Sequence, residues 1–176
     1  GPGDISFLAK AKEAALLQTT GAAAVIVPRG VAGRVGLPVV QVKDPYLAVA
    51  IIHNFFLTEP FVATGIHPRA YVGCDCLLGR EVSIGPMVVI GDRVRLGERV
   101  CIEAGAVIGD DVTIGDDTTI KANVTIYSRS LIGKRVTIHA GTVIGSDGYG
   151  YAANERGEHI KRPQVGIVRI DDDVEI

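Results

Sequence analysis

Taken at intervals of eighteen, His67, Gly85, Glu103, Lys121 and His139 form a single series. Imidazole, carboxylate and ammonium in one series could do acid–base work or bind a charged ligand. His139 is the best lone candidate for a general base. It stands just before the glycine-rich run Gly145-Ser146-Asp147-Gly148-Tyr149-Gly150-Tyr151. Glu103 and Lys121 can equally form a solvated charge ladder, worth under ~1 kcal/mol. The column is therefore read as the side that faces a partner subunit or ligand, with a structural ladder as the alternative.

The spacing of eighteen comes from a stride of six. Ile66, Val72, Leu78, Ile84, Ile90, Leu96, Ile102, Ile108, Ile114, Ile120, Ile126, Ile132, Ile138 and Ile144 follow one another at that stride. Four residues after each stands a compact residue, from Ala70 and Cys76 through Val136, Thr142 and Gly148. No helix or ordinary strand needs a period of six. Three flat six-residue sides make one triangular coil of eighteen, so the stride predicts a left-handed parallel β-helix, a solenoid of stacked repeats. Both repeated positions are expected to point inward, each large aliphatic contributing roughly 1.5–3 kcal/mol. In nine of fourteen repeats the residue after the aliphatic is Gly. That is read as a sharp corner needing glycine's conformational freedom. Of the three corner series, two are mostly glycine; the one with His67, Glu103, Lys121 and His139 alone is chemically loaded.

Stacked coils lie about 4.8 Å apart. His67 and His139, four coils apart, are then separated by roughly 19 Å. Zinc needs ligands at about 2.0–2.1 Å, so this pair cannot share an ion, and no metal or cofactor is assigned. Cys74 and Cys76 lie two apart, with Cys76 expected inward and Cys74 and Cys101 outward. No disulfide framework or paired metal motif emerges, which fits a reducing cytoplasm. Net charge is −2, with no cue for nucleic acid or a membrane surface. No apolar run has transmembrane length, and no signal peptide is evident.

The flanks break the stride. Over 1–60 a small α/β module is expected. It holds a short strand at Ile5–Leu8, a helix over Lys10–Thr20 stopped by Gly21, buried strands at Ala23–Val27 and Val39–Val42, and a Gly-rich loop from Pro28 to Pro38. Asp44-Pro45 reads as N-cap and first helical position of a helix over Tyr46–Phe56. A hinge near Thr58–Pro60 leads to the solenoid, 61–176. Gly145–Gly166 is too polar and irregular for coils and is expected to loop out. The pattern resumes at Ile170 and Ile176, with Val174 inward. The opening Gly-Pro-Gly and the closing Asp-Val-Glu-Ile both read as cut ends of a longer chain.

Four stretches carry a resemblance. Pro2–Leu8 is similar to a strand signature of the uridine-binding domain in the UDP-3-O-(3-hydroxyacyl)glucosamine N-acyltransferases of lipid A synthesis. Ala122–Tyr127 and Gly141–Tyr151 resemble that family's solenoid, and Lys161–Gly166 the end of its characteristic loop. The order of all four matches, and they span nearly the whole chain. The resemblance implies a homotrimer with active sites between adjacent solenoids. The reaction it implies moves a 3-hydroxyacyl group from acyl carrier protein to the 2-amino group of a UDP-glucosamine already acylated at O3. A histidine would act as base and a backbone N–H would hold the oxyanion.

Two departures accompany it. The family's catalytic His lies in an Ala-His-Asn repeat some thirty residues past Ile176, and no such motif occurs here. Its uridine pocket uses the Phe matched by Phe7, with an Asn and a Tyr where this chain has Lys10 and Glu13. Those changes remove an amide and an aromatic face. Two other readings stand beside it: another hexapeptide transferase acting on a nucleotide amino sugar with a coenzyme A donor, and a non-enzymatic trimeric scaffold.

Overall fold

The computed structural model describes residues 1–32 and 36–176; Gly33, Arg34 and Val35, within the loop expected over 28–38, lie outside the described residues. The chain divides into two compact units, Gly1–Pro60 and Phe61–Ile176.

The first unit is a three-stranded parallel sheet in the order β1 (Ile5–Phe7), β2 (Ala24–Pro28), β3 (Val39–Val42). A 3₁₀ segment, Ala11–Gln18, joins β1 to β2. The expected helix there is therefore tighter than an α-helix, and it ends at Thr19 rather than Gly21. The alternation of β2 splits its side chains between two faces. Val25 and Val27 pack with Leu8, Leu17, Val31 and Leu37. Ile26 points to the other face. β3 is only half buried, with Val40 at the surface, against the expectation of a buried strand. Helix α1 (Pro45–Leu57) follows β3. Its start is the expected one: Asp44 accepts a hydrogen bond from Leu47 N at 3.1 Å, and Pro45 fills the first turn.

The second unit is a left-handed parallel β-helix. Fourteen two-residue strands, β4 (Gly65–Ile66) to β17 (Val143–Ile144), recur every six residues. Strands three apart pair in parallel, so Cys101 stands opposite both Ser83 and Thr119, and Ile102 opposite both Ile84 and Ile120. Each coil hydrogen-bonds the next, as in Ser83 N to Val100 O at 2.9 Å and Gly85 N to Ile102 O at 2.8 Å. The strided aliphatics from Ile84 to Ile144 are buried, as are the compact residues from Val82 to Val136. Ile66, on the first coil, is 48% exposed, because that coil has a neighbour on one side only. Gly148, expected inward, is exposed on the excursion. The inward hydroxyls are satisfied: Thr118 donates to Gly133 O at 2.9 Å and accepts from Val136 N at 3.1 Å, and Ser130 donates to Tyr127 O at 2.7 Å.

The corner glycines need a different explanation from conformational freedom. Gly73, Gly79, Gly91, Gly97, Gly109, Gly115 and Gly133 do not have positive φ. Their constraint is the next coil. A Cβ on Gly97 would lie 2.3 Å from Asp116 Oδ1, and one on Gly79 would lie 2.2 Å from Gly97 O. The aspartate is there for a reason. Asp116 Oδ1 accepts from Glu98 N at 3.0 Å, just as Asp92 accepts from Cys74 N and Asp110 from Asp92 N. Glycine leaves room for the carboxylate that satisfies the corner N–H below it. The left-handed residues lie two positions further on and are mostly not glycine: Arg93, Arg99, Asp111, Asp117, Arg135 and Asp173 have φ of +53 to +60°. They bond one another in forked pairs, Arg93–Asp111, Arg99–Asp117 and Arg135–Asp173, at 2.6–2.9 Å.

The third sheet passes from β15 (Leu131–Ile132) to β20 (Arg169–Ile170), with Leu131 opposite Arg169. Corner partners across this step are 38 residues apart instead of 18. The extra chain leaves as an antiparallel hairpin of β18 (Tyr151–Ala153) and β19 (His159–Lys161). Ile170 re-enters the core, and Val174 packs against it.

Candidate functional site

Three places concentrate chemistry, one in the first unit and two in the second. In the first unit, β1 has Ile5 and Phe7 on the face that α1 also covers. A cavity of about 750 Å³ lies there, lined by β1, by Thr20-Gly21-Ala22, by Ile26, and by Val49, Ile52, His53 and Phe56 of α1. Phe7, 39% exposed, is a wall of this cavity, not a core aromatic. Its ring meets Tyr46 edge-on, with centroids 5.3 Å apart and planes at 65°. The polar side chains on the wall are Asp4, Ser6, Thr20 and His53. Lys10 and Glu13 stand elsewhere. Lys10 caps the 3₁₀ segment in solvent, Glu13 lies half-buried in its first turn, and neither lines the cavity. The structure thus separates Phe7 from the two positions grouped with it by sequence.

α1 is unusual for its exposure. Of its residues only Pro45 is buried, while Tyr46, Leu47, Ile51, Phe55, Phe56 and Leu57 are 58–78% exposed. Sequence reading identified the helix but not which of its residues matter. Positions 46, 49, 53 and 56 share one helical face. That periodicity was the available signal for Tyr46 and His53.

In the solenoid, the loaded column is real, and its members have partners. Lys121 Nζ donates to Glu103 Oε1 at 2.8 Å, and Ala122 N donates to Glu103 Oε2 at 3.2 Å. The carboxylate beside it raises the Lys121 ammonium above its ordinary value. His67 Nδ1 accepts from Arg69 N at 3.1 Å. His139 Nε2 lies 2.7 Å from Glu175 Oε1, a carboxylate that the sequence alone did not connect with it. Side chains fit at these corners because Ala104, Ala122 and Ala140 stand where the glycine corners have aspartate. A shallow cavity of about 380 Å³ beside the column is lined by Ser83, Cys101, Glu103 and Ala104. Burial, and then the Glu103 charge, push the Cys101 thiol up. Among the described residues no group of three or more His, Cys, Asp or Glu is placed to hold a metal.

The hairpin carries the third cluster. Tyr149 and Tyr151 have centroids 5.2 Å apart, and His159 meets Tyr151 at 6.3 Å. Lys161 Nζ lies 5.4 Å over the Tyr151 ring and donates to Gly148 O at 3.0 Å. Asn154 Oδ1 closes the turn by accepting from Arg156 N and Glu158 N.

Comparison with known proteins gives these features a context. Residues 1–55 match the family model of UDP-3-O-(3-hydroxymyristoyl) glucosamine N-acyltransferase, LpxD, and residues 62–148 match that of the GMPPB C-terminal domain. The UDP-3-O-acylglucosamine N-acyltransferase of Desulfotalea psychrophila is 55% identical over 176 residues, covering 100% of this chain and 51% of that protein. Those of Syntrophobacter fumaroxidans and Coxiella burnetii are 46% and 41% identical over 175 residues, 99% of this chain and 49% and 51% of theirs. The chain therefore spans about half the length of the curated relatives it matches. Among solved structures, a perosamine N-acetyltransferase mutant from Caulobacter crescentus is 19% identical, with TM-score 0.42 over 99% of this chain and 92% of that one. WeeI from Acinetobacter baumannii is 13% identical, with TM-score 0.47 over 99% and 96%. Neither likeness bears on activity. The family model on the first unit and the identity running through both units agree: the chain belongs to the UDP-3-O-acylglucosamine N-acyltransferase family.

Proposed function

We propose that this chain is part of an N-acyltransferase that moves a 3-hydroxyacyl group from acyl carrier protein to the 2-amino group of a UDP-3-O-acyl-glucosamine, in the cytoplasmic steps of lipid A synthesis. The observation that carries the reading is the 55% identity to a protein of that name over every residue of the chain. In the reaction the amine attacks the thioester carbon, a general base takes its proton, and the oxyanion collapses to expel the thiol. We place the general base outside these 176 residues, which hold no Ala-His-Asn repeat. The uridine end of the substrate is assigned to the Phe7 side of the first unit.

We further propose a homotrimer packed through the solenoid. Support comes from one prism face, where Tyr71, Val89, Val107 and Val143 form a line of exposed apolar side chains. The corner with His67, Glu103, Lys121 and His139 borders that face, so the column is assigned to the subunit contact. Closed cyclic symmetry is the common way to cover such a surface.

The test is an assay of the full protein with UDP-3-O-acyl-glucosamine and two donors, the 3-hydroxyacyl thioesters of acyl carrier protein and of coenzyme A. Amide formation from the carrier-protein thioester is expected. Turnover with the coenzyme A thioester alone favours the other hexapeptide transferase reading, and no turnover with either favours a scaffold. Light scattering should give the mass of three chains; the mass of one contradicts the trimer.

A further inference from the structure

We infer that Tyr46 and His53, on one face of α1, complete a nucleotide site with Phe7 in the first-unit cavity, Tyr46 taking the base and His53 the diphosphate. The inference rests on the UDP-sugar reading above and names the residues that would carry it. Four observations lead to it.

First, the wall around Phe7 is rich in rings. Phe7, His53 and Phe56 line the cavity, and Tyr46 touches Phe7. Planar heterocycles stack on such surfaces whatever their sequence or substituents. Second, the Phe7–Tyr46 geometry decides where a base can go. An edge-on pair at 5.3 Å leaves no slot between the rings, so a base cannot be sandwiched by them. It must lie on an outer face, and Tyr46, 64% exposed, offers more ring than Phe7 at 39%. Phe7 then acts as the buttress that fixes the Tyr46 plane.

Third, the helix sets the distance. Seven residues separate Tyr46 from His53, which is about 10.5 Å along the axis at 1.5 Å per residue. That suits a ligand with a ring at one end and phosphates further on. Ser6 and Thr20 lie on the same wall, and the Asp4 carboxylate is held by the Gly1 amino group. His53 is the wall's one ring nitrogen donor, and a donor is what a diphosphate requires. Fourth, Lys10 and Glu13 lie off this cavity altogether. They cannot meet a ligand seated on Tyr46.

The test titrates uridine and UDP separately into the 176-residue chain and its variants. Tyr46→Ala is expected to weaken both ligands alike, by about tenfold, the usual scale for one stacked base. Tyr46→Phe keeps the ring and should bind near wild type, so a hydroxyl role is separated from stacking. His53→Ala should weaken UDP several-fold and leave uridine unchanged, a split that a merely structural role would not produce. Both side chains are exposed, and thermal melts verify that the variants stay folded. If Phe7→Ala abolishes binding while Tyr46→Ala and His53→Ala stay within twofold of wild type, this inference falls and the nucleotide reading stands. If the unaltered chain binds neither ligand, both fall together.

Discussion

The two units handle exposed backbone and apolar surface in opposite ways. The solenoid closes everything it can. Its coils share one continuous core, its strand N–H groups bond the coil above, and its corner N–H groups receive an aspartate from that coil. Its charged side chains are largely committed to one another, in forked Arg–Asp pairs and in the Glu103–Lys121 ladder. The first unit leaves surface open. It has a sheet of three strands, a helix with six large apolar side chains in solvent, and a cavity of about 750 Å³ between them. A saturated repeat makes a rigid scaffold with little free valence for a ligand. The open unit keeps rings and polar groups unspent, and that is where small-molecule recognition is placed.

Substitutions can break this contrast, and the largest effect belongs to the solenoid core. Ile114→Ala removes a fully buried side chain with coils on both sides. A loss of about 2–5 kcal/mol is expected in denaturant unfolding. Next come the corner glycines. Gly97→Ala drives a methyl against Asp116 Oδ1 and its backbone N, so the coils must part locally. A loss of roughly 1–3 kcal/mol is expected. Gly21→Ala in the first unit meets no atom within 4 Å, and its φ is not positive. It should be neutral, or stabilise by up to about 1 kcal/mol through the unfolded chain. Equal losses at both glycines would remove the distinction between closed and open units. Phe55→Ser, on the exposed side of α1, should change stability by no more than about 0.5 kcal/mol.

The smallest effect is in acid. Hydrogen bonds from Arg93, Arg99 and Arg135 hold the carboxyls of Asp111, Asp117 and Asp173 below the usual carboxylate range. A depressed folded value means that the unfolded chain binds protons first as pH falls. The stabilisation is therefore complete above about pH 4, the ordinary aspartate range, and is lost as pH drops through the lower folded values. The ladders lie at the surface, so each pair contributes little. Melting curves from pH 6 to pH 2 should show a modest acid loss that shrinks when Arg93, Arg99 and Arg135 are replaced by Gln.

Much of the solenoid was legible because its constraint is periodic. One aliphatic every six residues has a single geometric solution, and the interruption after Ile144 marked the hairpin. The reason for the corner glycines was not legible as first read. It lies between coils, in pairs nineteen apart such as Gly97 and Asp116, and a rule about single residues misses it. The His139–Glu175 contact was hidden because the hairpin intervenes, so no fixed interval links the two. In the first unit, Phe7 was legible from its motif. Tyr46 and His53 were not, since their meeting with Phe7 depends on which face α1 turns to the sheet. Lys10 and Glu13 followed Phe7 in sequence but went with the 3₁₀ segment, off the cavity.

The central claim is that ligand recognition in this chain belongs to the open unit and not to the solenoid. Hydrogen–deuterium exchange with and without UDP-N-acetylglucosamine tests it most directly. Slower exchange in β1 and α1 on adding the nucleotide sugar, with the solenoid strands unchanged, is the predicted result. Protection confined to the corners at His67, Glu103, Lys121 and His139, with α1 unaffected, would contradict it.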